Sequence, residues 1–192
     1  MSRARPLCQQ KWGRSNFEVL HELTPTASKM ALLVNPTSPA LAESQSASLH
    51  AAAHRLGLQL EVLRASADSD FDTVFASLVQ LRVGGLIIGS DAFFTSRVQK
   101  LAGLATSHRI PAIYWNREYA NAGGLFSYGT VYTSEYRQAG IYTGRILKGE
   151  SPADLPVQQI TKVELVINLK TAKQLGITFP MSLLGRADVV IE

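Results

Sequence analysis

Two stretches of this chain repeat one arrangement: an apolar strand runs straight into a polar loop marked by Pro or Gly, and an amphipathic helix follows. Lys29-Met-Ala-Leu-Leu-Val-Asn-Pro-Thr-Ser-Pro39 is the first, and Gly85-Leu-Ile-Ile-Gly-Ser-Asp-Ala-Phe-Phe94 is the second. Ala31–Val34 and Leu86–Ile88 are apolar at consecutive rather than alternate positions. Strands of that kind are buried on both faces, which calls for a parallel sheet with helices above and below. In such open sheets small ligands sit beyond the carboxyl ends of the strands. The two loops therefore show where to look for function.

The periodicity extends the pattern. Ser15 with Glu18 three residues on reads as a capping box that opens a short helix, with Phe17, Leu20 and Leu23 as its apolar stripe. After the first strand, Leu49, Ala52, Ala53 and Leu56 keep helical spacing up to Gly57. A second strand over Leu58–Leu63 leads to a helix carrying Phe71, Val74, Phe75 and Leu78. The third strand follows Gly84-Gly85, and a helix with Val98, Leu101, Ala102 and Ala105 precedes a fourth strand at Ile110–Tyr114. Every crossover is long enough for a helix, so the four strands are expected to be parallel, in the order 2-1-3-4.

Beyond Trp115 the pattern changes. A short helical stretch at Asn116–Asn121, a strand at Leu125–Tyr128 and a helix at Ser134–Lys148 are expected. Gly140 and Gly144 give that helix a smooth side suited to close packing. Ser151-Pro152 and Leu155-Pro156 mark an extended connector. A strand-like run at Lys162–Ile167 and a helix at Leu169–Leu175 follow.

Composition narrows the function. Hydrophobic residues make up 46% and charged residues 18% of the chain, and no apolar run approaches the ~20 residues that cross a bilayer. The net charge of +4 comes from Arg3, Arg5, Lys11 and Arg14 at the front, where no acid stands. Elsewhere the 15 acidic residues are balanced by as many basic ones. A nucleic-acid binder carries its basic stripe on the folded body, so no nucleic-acid partner is expected. Cys8 is the single cysteine, which leaves no intrachain disulfide. No apolar segment precedes it, so residues 1–14 read as a basic tail rather than a lipid-attachment or secretory signal.

Signatures of chemistry are scarce. His21-Glu22 begins like a zinc-protease helix, but Pro25 stands where the second histidine belongs. His50 and His54 share a helix face without a third ligand nearby. Walker, dinucleotide and nucleophile-elbow glycine patterns are missing from the chain. No catalytic residue, metal or cofactor is expected.

What the strand ends carry suits the gripping of a small polar molecule. Asn35, Thr37 and Ser38 follow the first strand, and Ser90, Asp91 and Phe93 follow the third. Tyr114 and Arg117 bracket the end of the fourth. Asp91 can accept from an ammonium, the Asn35–Ser38 loop can donate to a carboxylate, and Phe93 or Tyr114 can cover an apolar group or a cation. Each also has a structural role open to it: Asp91 as a helix cap, Asn35 as a turn residue before Pro36, Phe93 as core, Arg117 as an ion pair with its neighbour Glu118.

Five blocks in order carry a family resemblance from Glu18 to the C-terminus: LHELTPTASKMALLVNPTSP, LVQLRVGGLIIGSDAFF, PAIYWNREYANAGGLFSYG, YRQAGIYTGRILKGESPADLPVQQ and ELVINLKTAKQLGI. Together they resemble the solute-binding proteins of a bacterial ABC-importer family. The resemblance implies two α/β lobes joined by hinge strands, a solute gripped between them, a membrane permease as partner and a periplasmic location. Some members of that family bind aromatic amino acids. It also implies a first lobe ahead of Lys29, where this chain has only its tail. The expected organisation is thus a tail over 1–14, an α/β solute-binding lobe over 15–122, and crossover and return segments of a partner lobe over 123–192. On that expectation the chain is N-terminally truncated, its Tyr136–Leu147 helix lacks a packing partner, and without a signal peptide it would stay in the cytoplasm if expressed as written. Two other readings remain open: the effector-sensing domain of a LacI-like regulator, which needs an upstream DNA-binding segment, and a small flavodoxin-like enzyme or receiver.

Overall fold

A computed structural model describes the backbone of residues 7–156 and 163–192, and the side chains of 15–131, 136–156 and 163–192. Among the described residues seven strands form one sheet in the order β2-β1-β3-β4-β5-β6-β7. They are β1 (Lys29–Val34), β2 (Gln59–Arg64), β3 (Leu86–Ile88), β4 (Ala112–Tyr114), β5 (Phe126–Thr130), β6 (Val163–Asn168) and β7 (Val189–Ile191). The helices are α1 (Leu7–Leu23), α2 (Pro39–Leu56), α3 (Asp70–Gln80), α4 (Ala92–Thr95), α5 (Val98–Ser107), α6 (Arg117–Asn121), α7 (Tyr132–Leu147), α8 (Leu169–Leu175) and α9 (Met181–Leu184).

The consecutive apolar runs do what double burial demands. Alternate residues of each strand feed opposite cores, because successive side chains point to opposite faces. Met30, Leu32, Val34, Ile87 and Ile113 pack with Phe17 and Leu20 of α1 and Leu49 of α2. Ala31, Leu33, Leu86, Ile88 and Ala112 pack on the other side with Phe71 and Leu78 of α3 and Leu101 of α5. β1, β3 and β4 are parallel neighbours in register Ala31↔Leu86↔Ala112, so their carboxyl ends open at a common rim. The expected order 2-1-3-4 is the one observed.

Two segments differ from expectation. α1 begins at Leu7, so Ser15 lies within a helix and forms no capping box. Nothing in Lys11-Trp-Gly-Arg14 stops a helix as proline would, and the stretch expected as tail is helical over residues 7–14; residues 1–6 lie outside the described residues. The second difference concerns residues after 122. β5 pairs parallel with β4 and antiparallel with β6, and β6 pairs parallel with β7. These three strands extend the same sheet, and Phe126, Leu165 and Ile167 enter the α1/α2 core with Ala172, Phe179 and Leu183 of the closing segment. The core is thus built from both sides of the expected boundary. Lys162 and the residues around Gln159 lie outside the described residues.

α7 is set apart. Among the described residues, a methyl placed on Gly140 or Gly144 would meet nothing within 4 Å, and Tyr136, Ile141 and Leu147 are exposed at 75%, 46% and 82%. Its side-chain bonds include ones to its own following segment, from the Tyr142 hydroxyl to the Pro156 carbonyl and from Arg145 to Glu150. No helix among the described residues is long and apolar enough to cross a membrane.

Leu32 is wholly enclosed in the sheet centre. Leu32→Ala should therefore lower unfolding free energy by about 2–5 kcal/mol, read from urea denaturation, because the packed layers cannot close the cavity.

Candidate functional site

The rim at the ends of β1 and β3 is held by one side-chain bond. Asn35 Nδ2 donates to Asp91 Oδ1 at 3.0 Å. The same oxygen accepts from Phe93 N at 2.8 Å, so Asp91 caps α4 while it ties the two loops together. Asn35 is buried, and its own Oδ1 accepts from Thr37 N at 3.0 Å and from the Thr37 hydroxyl at 2.8 Å. Its amide is therefore committed at both ends. Asp91 Oδ2, by contrast, has no hydrogen-bond partner among the described residues.

Behind this pair stands a residue that periodicity left unnoticed. Gln45 lies on the buried face of α2, one turn before Leu49, and donates through Nε2 to Ser90 O at 3.1 Å and Ser90 Oγ at 2.8 Å. A methyl on Gly89 would land on the Gln45 side chain, so glycine is needed for that approach. The signal was present in the sequence: a glutamine occupies a position of the apolar stripe. Ser90 Oγ accepts this bond and keeps its own proton to donate.

An open cleft faces these groups, lined by Leu41, Ser90, Asp91, Ala92, Thr95, Ser96 and Trp115. Its chemistry is one carboxylate and a few hydroxyls set among apolar surface. Thr95 and Ser96 donate their hydroxyl protons back to Asp91 O and Phe93 O, which leaves them acceptor capacity only. Trp115 stands directly after β4, where the sequence places a strand end, whereas Leu41 and Thr95 were outside the expected set, because only the tertiary fold brings them to the cleft.

The remaining expected residues lie elsewhere. Thr37 is exposed and Ser38 half-buried at the start of α2. Phe93 lies beneath the Arg97 guanidinium, 3.9 Å from its ring centre, and does not line the cleft. Arg97 and Lys100 also bind Asp68, and their hydrogen bonds hold that carboxyl below its usual range. Tyr114 is fully enclosed and stacked on Tyr119 with ring centres 4.5 Å apart. Arg117 donates to Glu164 of β6 at 3.3 Å rather than pairing with Glu118. The expected loops thus converge at Asn35, Thr37, Ser90 and Asp91, while Phe93, Tyr114 and Arg117 stand away from the cleft. Among the described residues there is no group of three or more His, Cys, Asp or Glu suited to a metal.

This is the periplasmic-binding-protein type of α/β fold: a mostly parallel sheet between helical layers, with a cleft at the strand ends. The chain belongs to the family described as ABC transporter substrate binding protein, which it matches over residues 11–191. That family is one of solute-binding proteins rather than enzymes. A tyrosine-binding protein of Clostridioides difficile strain R20291 is 28% identical over 159 residues, covering 83% of this chain and 46% of the relative. A structure described as an ABC domain in complex with L-Trp, from Streptococcus pneumonia, superposes with TM-score 0.81 at 25% identity, covering 93% of this chain and 60% of the other. A conserved domain protein of Vibrio cholerae gives TM-score 0.82 at 26% identity with the same coverage. The chain thus spans about half to three-fifths of the length of these relatives.

Two expectations follow from the geometry. Asp91→Ala should cost about 1–3 kcal/mol in chemical denaturation, since it removes a cap and strips a buried amide of its acceptor, whereas Asp91→Asn should stay within about 0.5 kcal/mol. The second concerns Tyr114 and Tyr119, whose buried hydroxyls have no hydrogen-bond partner among the described residues. Burial pushes both phenols up, with Glu118 and Asp91 adding to the effect on Tyr119. The folded state keeps protons that the unfolded chain releases near pH 10, so stability is retained below that pH and falls as pH rises above it. Tyr114→Phe should leave neutral-pH stability unchanged or higher and flatten the alkaline loss in melts from pH 8 to 11.

Proposed function

We propose that this chain supplies one lobe of the solute-binding component of an ABC importer, and that the solute is a small zwitterion such as an amino acid. The observation that carries the reading is the Asn35–Asp91 bond beside the cleft, because it fixes a carboxylate whose Oδ2 has no hydrogen-bond partner among the described residues. An ammonium would bind that oxygen through a charge-assisted hydrogen bond. The Ser90 hydroxyl would donate to the solute, and Leu41 and Trp115 would cover an apolar portion. The Asn35 amide and Thr37 hydroxyl serve the loop itself, so most of the donors for a solute carboxylate would come from a facing lobe.

Several findings support a two-lobe arrangement. The relatives extend well beyond the matched region, and α7 presents exposed Tyr136, Ile141 and Leu147 on a helix with open space beside Gly140 and Gly144 among the described residues. Residues 15–130 with 163–192 would form the solute-binding lobe, and 131–156 would belong with its partner. The bound, closed form would engage a membrane permease outside the cytoplasmic membrane, in the periplasm of a two-membrane cell. Apart from that engagement no chemistry is required of it.

Amide NMR titration tests the site. L-Tyrosine or L-tryptophan at millimolar concentration should shift Ser90, Asp91 and Trp115, and Asp91→Ala should abolish the effect. No shift at those amides with any of the common amino acids would end the reading. Calorimetry on this chain alone should give an affinity weaker than about 100 μM, since half of the grip is supplied by the facing lobe. A micromolar constant would contradict the two-lobe division.

A further inference from the structure

The chain leaves the sheet after Thr130 and re-enters it at Val163, so these two residues form the last rung of the β5/β6 ladder. The described part of the excursion, residues 131–156, follows directly on β5. The next rung inward is Gly129 opposite Glu164. Both members touch the segment that follows β4. A methyl on Gly129 would fall on the Trp115 carbonyl, with the Trp115 backbone supplying all three nearest atoms. Glu164, whose side chain is 12% exposed, accepts the Arg117 guanidinium at 3.3 Å. Between those contacts, buried Asn116 caps α6 by accepting from Glu118 N at 2.8 Å.

We propose that residues 115–117 clamp the exit of the excursion, with Trp115 bearing on β5 and Arg117 holding β6, so that a solute resting on Trp115 moves the two strands from which the excursion hangs. The inference builds on the solute-binding reading above, since Trp115 also lines the cleft. Arg117, Glu164 and Gly129 are on this account positioning residues that never touch the solute. Backbone contact on one side and an ion pair on the other constrain both strands, and the ordered Asn116 cap prevents the three residues from yielding independently. Gly129 has a steric duty here, because any side chain would push β5 off Trp115.

The test separates the clamp from the binding reading. Arg117→Glu, Glu164→Arg, the double exchange of the two, and Gly129→Ala are made in the full chain. Amide hydrogen exchange at 126–130 and 163–166 is measured without solute, and L-tyrosine titrations are followed by amide NMR. Each single charge reversal should speed exchange at Tyr128–Thr130 and Glu164 by about fivefold, the scale of a partly shielded ion pair, and the double exchange should restore it. In the unaltered chain L-tyrosine should shift Gly129 and Glu164 together with Ser90 and Asp91. In the single reversals and Gly129→Ala the Ser90 and Asp91 shifts should persist while those at 129 and 164 shrink. Failure of the double exchange to restore protection overturns the clamp, as do L-tyrosine shifts confined to Ser90, Asp91 and Trp115 in the unaltered chain. Absence of any shift at Ser90 and Asp91 would instead remove the solute reading, and the exchange data would still judge the clamp. Should Gly129→Ala fail to fold, the charge exchange alone decides.

Discussion

Double-sided burial of β1, β3 and β4 is the constraint on which the rest of the structure depends. Met30 to Leu33, Leu86 to Ile88 and Ala112 to Tyr114 are shielded from solvent on both faces. Each strand residue removed from water adds on the order of 25 cal/mol for every Å² of apolar surface, but only if a helical layer covers it. Two layers are therefore obligatory, and parallel strands between them end together. The rim so formed is also where the backbone must turn into a helix, so polar groups gather there for structural reasons before any ligand is considered.

Two of those turns use the same local device, and it recurs at the opposite edge of the sheet. Asp91 and Asn116 follow β3 and β4, Asn168 ends the antiparallel β6, and each accepts from a backbone N–H two or three residues on. Asn116 and Asn168 are buried, and Asn168 Nδ2 is further spent on Ala120 O. Only Asp91 combines a cap with an open cleft and a carboxylate oxygen to spare. Its dual role explains why one residue can both hold the rim together and offer a charge to a solute. It also sets what substitution can separate: an amide keeps the first role and weakens the second.

The architecture was legible because it rests on repeating local signals. Leu49, Ala52 and Ala53, or Phe71, Val74 and Leu78, announce a helix face within their own few residues. The start of α1 was less legible, since a serine and a glutamate three apart make a cap only where a helix actually begins. Within the site, Asn35, Ser90 and Asp91 were evident as polar residues directly after apolar strands. Gln45 was less so, because its significance lies in a partner, Ser90, that is 45 residues away.

From its sequence alone the chain is committed to a layered α/β fold with polar groups at the ends of β1, β3 and β4, because side-chain periodicity of two or 3.6 is a property of neighbouring residues. Which of those groups remain available to a solute was decided only by tertiary structure. Tyr114 is sealed against Tyr119, Arg117 is drawn to Glu164, and the Asn35 amide is taken up by Asp91 from 56 residues away. A hydrogen-bond partner depends on which strand comes to lie alongside, and adjacency in a sheet is settled by the packing of the whole lobe.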